Sequence, residues 1–139
     1  SYDLDDNMCV HGLDLERKYY LRRFKKPLDP GYINKRISID ESKFNILLAH
    51  SPLFVKDYAD SHVDLALAGH FHGGTIRFPC GVGVMTPQFH FFNRLVVGMK
   101  KVGNMVQIIG AGLGTHSINI RLNDMSELIV INLKCRNKS

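Results

Sequence analysis

The chain has 139 residues, 45% hydrophobic and 22% charged, with a net charge of +5 and three cysteines. That length bounds it to a single domain, residues 1–139, and that composition excludes disorder while allowing a core without staples. Cys9, Cys80 and Cys135 form no CxxC pair, which excludes a zinc knuckle and fits free thiols in a reducing compartment, and no apolar run approaches the roughly 18 residues of a membrane span.

In chain order, the opening Ser1–Asp6 has no initiator methionine and no secretory pattern, and it reads as a cut end. Residues 8–14 predict a short strand running into a turn. Residues 15–26 predict a short helix with one apolar face made by Tyr19, Tyr20, Leu21 and Phe24, ended by Pro27, Pro30 and Gly31. Residues 33–43 read as loop or as a second short helix around Asp40-Glu41-Ser42. A buried strand is predicted over 44–49, a helix over 53–60 and a second buried strand over 65–68. Strand–helix–strand in that order is a βαβ unit, so the two strands lie parallel and their carboxyl ends open on one sheet edge, where ligands of open α/β sheets bind. Beyond it, 75–78 predicts a strand, and 81–87 with 88–93 a loop rich in aromatics. A hairpin is predicted from Leu95–Lys101 and Met105–Ile109 around Val102-Gly103-Asn104. A glycine-rich turn over 110–115 and strands over 118–122 and 127–133 complete the pattern.

Charge is uneven. Between Arg17 and Arg36 stand eight Lys/Arg residues and one acid, Asp29. A solvated helix face explains this, and so does an anionic partner, either phosphate-rich or a membrane surface. Tyr19, Tyr20 and Phe24 interleave the basic residues, yet no nucleic-acid signature accompanies them.

The chemistry gathers at two places. Ala49-His50-Ser51-Pro52 follows the first buried strand, and Gly69-His70-Phe71-His72-Gly73-Gly74 follows the second. Neutral imidazole is a good ligand for zinc, manganese and iron. Residues i and i+2 of an extended segment point the same way, so His70 and His72 can approach one pocket. The flanking glycines permit the positive φ that a tight metal-binding turn needs. His50, His70 and His72 are therefore the candidate metal ligands. His116, after the glycine-rich turn, could reach the same edge and is the candidate catalytic residue, though no general acid can be named. His90 sits in the aromatic loop that could cover a site. His11 and His62 read as ordinary hydrogen-bonded histidines. Ser51 has no triad context. Gly110-Ala111-Gly112-Leu113-Gly114 lacks the helix and acid of a dinucleotide fingerprint and reads as a close-packed turn. Hard metals at hydrolytic centres also use carboxylates, and Asp14, Asp57, Asp60, Asp64 and Asp124 show no paired spacing near the histidines.

The order apolar strand, Ala49-His50-Ser51-Pro52, helix, apolar strand, Gly69-His70-Phe71-His72-Gly73-Gly74 resembles the last two metal-binding motifs of calcineurin-like metallophosphoesterases. Downstream, Gly73–Pro79, Gly110–Thr115, Ile120-Arg121-Leu122 and Glu127-Leu128 look like one bacterial branch. That branch holds many membrane-associated phosphohydrolases and enzymes similar to UDP-2,3-diacylglucosamine hydrolase. The resemblance spans residues 44–133. It implies two divalent metal ions (Mn, Zn or Fe), with His50 and His70 on one and His72 on the other. It implies the C-terminal part of a two-sheet α/β sandwich with a mixed sheet and flanking helices. A phosphate-containing small molecule or lipid-linked substrate, and a cytoplasmic or membrane-associated setting, follow from the same resemblance. The family's Asp-x-His, Gly-Asp-x-x-Asp and Gly-Asn-His-Asp/Glu motifs do not occur in this chain. The expectation is therefore the C-terminal half of a longer enzyme, inactive alone. A non-catalytic module with vestigial histidines and a basic anion-binding surface is the alternative.

Overall fold

A computed structural model describes residues 1–20, 27–71, 76–77, 83–85, 91–93, 97–114 and 125–134. Strand β1 (Tyr2–Asp5) turns back antiparallel into β2 (Met8–Leu13). A single 3-10 turn, Arg17–Tyr20, follows. Then come β3 (Phe44–Ala49), α1 (Val55–Asp60) and β4 (Leu65–Ala68). Three short strands, β5 (Ile76–Arg77), β6 (Gly83–Met85) and β7 (Phe91–Asn93), form an antiparallel sheet of their own. The hairpin β8 (Gly98–Val102) and β9 (Met105–Ile109) closes the main sheet.

That main sheet has six strands in the order β1-β2-β3-β4-β9-β8. Its four central strands run parallel and its two edge strands antiparallel. It is the mixed α/β sheet that the family resemblance implies. The βαβ unit is present with β3 and β4 in parallel register, Ile46 opposite Leu65 and Leu48 opposite Leu67.

One face of the sheet is the core. Leu13, Leu47, Ala49, Ala66 and Met105 point to it from four adjacent strands. Val55 and Tyr58 of α1, with Leu15, Tyr19, Leu28, Tyr32, Ile33 and Ile37 of the long β2–β3 crossover, cover them. Burial of this apolar surface, at roughly 25 cal/mol per Å², is the main stabilising term. A buried polar network runs through the same layer. His11 is fully buried, with Nε2 2.9 Å from Asn45 Oδ1 and Nδ1 2.8 Å from Ser1 Oγ. The Asn45 amide also donates to the Asp40 and Lys43 carbonyls at 2.9 and 2.8 Å.

Several expectations need correcting. The opening residues, to which the sequence assigns no element, form an edge strand, β1, whose four side chains are all exposed. Its charges suit an edge that must not recruit further strands. The helix expected over 15–26 is one 3-10 turn at 17–20, with residues 21–26 outside the described set. Of the two readings of 33–43, loop or a short helix around Asp40-Glu41-Ser42, the structure has no helix there. Asp40 Oδ1 takes the Ser42 N–H at 3.0 Å and the Ser42 hydroxyl at 2.6 Å, which fixes a turn instead. The aromatic loop contains the short strands β6 and β7. Val102 belongs to β8 and pairs with Met105, so the hairpin loop is Gly103-Asn104 alone, with Gly103 at φ 58°.

The strand expected over 127–133 is not one. It is irregular chain held by the Glu127 N–H on the Gly112 carbonyl at 3.1 Å, and no described strand pairs with it. Strand propensity reflects packing on a pleated surface beside a neighbour, and no described neighbour strand lies alongside the β-branched run. The strand expected over 118–122 lies outside the described residues. Among the described residues no helix is long and apolar enough to cross a membrane.

Candidate metal centre

Parallel register carries β3 and β4 to the same edge. The pairing of Leu48 with Leu67 puts His50 and Gly69 next to one another beyond the strand ends, and the Gly69 N–H reaches the His50 carbonyl at 3.3 Å. The chain then turns within three residues: the Phe71 N–H donates to the Gly69 carbonyl at 2.9 Å around His70. His70 sits at φ 71°, a left-handed conformation costly for a residue with a Cβ. Phe71 is fully buried and anchors the turn. Strain of this kind persists where the surroundings over-determine it, and it concentrates at functional sites.

The turn brings His70 onto His50. Nδ1 of His70 lies 2.7 Å from Nε2 of His50, with ring centroids 4.4 Å apart. One proton is shared along that line. The loop after His50 is held independently. The Ser51 hydroxyl accepts the Leu53 N–H at 3.3 Å, the Ser51 carbonyl accepts the Tyr58 hydroxyl at 2.7 Å, and the Pro52 carbonyl accepts from Gln107 Nε2 at 3.3 Å. Burial pushes the Tyr58 phenol well up, so it stays a donor to that carbonyl.

These two nitrogens suit a shared ion. Two imidazole nitrogens bound tetrahedrally to zinc at about 2.0–2.1 Å stand about 3.3 Å apart. The observed 2.7 Å is about 0.6 Å shorter, so for one ion to sit between them the rings must part and tilt off their common line as the shared proton leaves. His72, His116 and His90 lie outside the described residues. Among the described residues no group of three or more His, Cys, Asp or Glu side chains could hold a metal ion.

The other two described histidines are elsewhere. His11 is the satisfied core histidine expected. His62, at φ 66°, follows α1 and pairs with Glu41 at 3.4 Å. It lines a cavity of about 450 Å³ beside Asp64 and Asn104, at the amino ends of β3 and β4, opposite the His50–His70 edge. Two of the acids, Asp64 and Asp57, are employed elsewhere, whereas Asp14 follows Leu13 at the carboxyl end of β2, beside the end of β3. Asp64 takes the Asn45 N–H at 2.7 Å, and Asp57 takes the Leu28 N–H at 3.1 Å.

Sequence reasoning missed Tyr20 as part of this edge. Its ring lies 5.7 Å from that of His50 and 5.6 Å from that of His70. Burial and then the Asp14 carboxylate push its phenol up, and the Leu15 backbone bonds the hydroxyl. Nothing in its spacing from the histidines signals this approach, because the crossover that carries it is irregular. The glycine-rich turn sits at the same edge, after β9. There the Ala111 N–H donates to Glu127 Oε2 at 3.2 Å, a clip that the sequence shows only as two separate segments.

No family model matches the sequence, and no solved structure matches it. Curated relatives do. An uncharacterized metallophosphoesterase of Helicobacter pylori (strain J99) is 33% identical over 138 residues, 96% of this chain and 36% of that protein. The uncharacterized metallophosphoesterase YkuE of Bacillus subtilis is 30% identical over 109 residues, 78% of this chain and 37% of that protein. Another, Cj0846 of Campylobacter jejuni, is 32% identical over 110 residues, 76% of this chain and 27% of that protein. The chain thus spans about a third of the length of these relatives. With the histidine motifs at the carboxyl edge of a parallel βαβ unit, these similarities establish that the chain belongs to the metallophosphoesterase family.

Proposed function

We propose that this chain supplies the histidine half of a two-metal phosphohydrolase centre. The observation that carries the reading is the convergence of His50 Nε2 and His70 Nδ1 at 2.7 Å on the edge where α/β sheets bind ligands. His50 and His70 hold one divalent ion between them, and His72 serves the other. When bound, such ions polarise a phosphoryl oxygen and lower the pKa of a coordinated water. The chain's own part is positional. The strained Gly69-His70-Phe71 turn aims one ligand, and the bonded Ser51-Pro52 loop fixes the other. The family's upstream carboxylate motifs do not occur in these 139 residues, so the isolated chain turns over substrate poorly. The substrate is a phosphate ester or anhydride, on a small molecule or a lipid.

A purely anion-binding module is less well supported. Lys18 is paired with Glu16 at 3.1 Å and Asp29 at 3.4 Å, and Arg36 with Glu16 at 2.6 Å and stacked on Tyr32. Part of the basic stretch is thereby neutralised within the crossover. The test is hydrolysis of a chromogenic phosphodiester by the full-length protein. Turnover abolished by chelator and by His50→Ala is expected. Turnover indifferent to both rejects the reading.

A further inference from the structure

Tyr20 has no place in the histidine motifs, yet its ring meets both of the histidines described at the site. With His50 and His70 it forms a triangle of rings with centroids 4.4–5.7 Å apart and planes inclined at 58–64°. Edge-to-face packing of this kind fixes ring orientation. Phe71 lies against His70 as well, 5.3 Å away. The His70 imidazole is therefore held by two aromatic neighbours from different parts of the chain.

Tyr20 is itself pre-positioned. The preceding Tyr19 is buried, donates its hydroxyl to Asp29 at 3.0 Å, and packs edge-on against Tyr32 and Phe54. The 3-10 turn Arg17–Tyr20 thus plugs into the core through Tyr19 and presents Tyr20 to the sheet edge. A tyrosine has two side-chain torsions to order, so holding its ring in place costs little entropy.

We propose that Tyr20 is a positioning residue for the His50–His70 pair, its ring setting the planes in which both imidazoles offer nitrogen to one ion. The inference rests on the metal-site reading above. Groups around metal-ligating histidines orient them, and their loss typically weakens metal affinity about 10–100-fold. Here the orienting contact is the ring and not an acceptor, so losing the ring should weaken binding more than losing the hydroxyl, whose described bond is to the Leu15 backbone and not to the histidines.

The experiment is a Co²⁺ titration of the metal-free full-length protein, followed by visible absorbance, with a thermal melt of each variant. Tyr20→Phe should bind within about twofold of the unaltered protein, and Tyr20→Ala about tenfold more weakly. Should Tyr20→Ala fail to fold, Tyr20→Leu keeps the bulk without the ring and should also bind more weakly than Tyr20→Phe. Tyr20→Ala binding as tightly as the unaltered protein overturns the inference, as does equal weakening by Phe and Ala. His70→Ala separates the two ideas. If it removes Co²⁺ while Tyr20→Ala does not, only the role of Tyr20 falls. If His70→Ala leaves Co²⁺ binding intact, the metal site falls with it.

Discussion

Asn45→Ala tests the buried polar network near the amino end of β3, at the opposite end of the strand from His50. Asn45 is buried on β3, five residues before His50, and its amide makes three hydrogen bonds, to His11 Nε2 and to the carbonyls of Asp40 and Lys43. Both amide hydrogens go to carbonyls, so the oxygen faces His11 and the imidazole carries its proton on Nε2. Truncation strands that N–H in a fully buried ring, at about 1–3 kcal/mol. The two carbonyls belong to exposed or half-buried residues and regain water, so each loses no more than about 0.5–1 kcal/mol. The sum is about 2–5 kcal/mol, a large part of a typical domain's stability. Urea unfolding followed by far-UV circular dichroism reads it as a lowered midpoint at unchanged slope. In a double-mutant cycle with His11→Leu, the coupling should be about 1–2 kcal/mol. A loss under about 1 kcal/mol for Asn45→Ala, or no coupling, would refute the reasoning.

Two further predictions concern strain and pH. His70→Gly and His70→Ala lose the same imidazole, but only glycine is relaxed at φ 71°. The glycine variant should be more stable than the alanine variant by about 0.5–1 kcal/mol, after its greater unfolded entropy is set against the left-handed cost. An alanine variant as stable as the glycine one contradicts the strained turn. Acid should destabilise the fold through carboxylates held below their ordinary 3.8 and 4.5: Asp3 by Lys43, Glu16 by Lys18, Asp29 by Tyr19 and Asp40 by Ser42. Folded values below unfolded ones give stability that is present above the ordinary values and lost as pH falls through the folded ones. The unfolding midpoint should therefore drop between about pH 5 and pH 3. Asp57, raised chiefly by burial, acts in the opposite sense, so Asp57→Asn should steepen the drop. A midpoint flat across that interval, or a shallower curve for Asp57→Asn, counts against the assignment.

What was legible in the sequence was whatever local pattern decides. Strands 44–49 and 65–68 are short apolar runs closed by histidine or glycine, and both occur with those bounds. Their parallel order follows from the helix between them, and it delivers His50 and His70 to one edge without further information. Interactions distant in sequence were hidden. The β-branched run 127–133 reads as a strand until a partner is sought. Its Ile129 and Ile131 lie along a groove of about 300 Å³ with Leu67 and Ile108, while Leu128 and Val130 remain exposed. Tyr19 and Tyr20 read as one apolar helix face. In the structure one plugs the core and the other meets the histidines, because a 3-10 turn and not an α-helix carries them. Edge strand β1 escaped notice because alternation of aspartate with Tyr2 and Leu4 buries nothing.

The central claim is that His50 and His70 share an ion. Elemental analysis of the full-length protein, purified without chelator, tests it most directly. Bound manganese, zinc or iron should be present and should fall by at least one ion per chain in both His50→Ala and His70→Ala, with the fold intact by circular dichroism. Undiminished metal in either variant would contradict it.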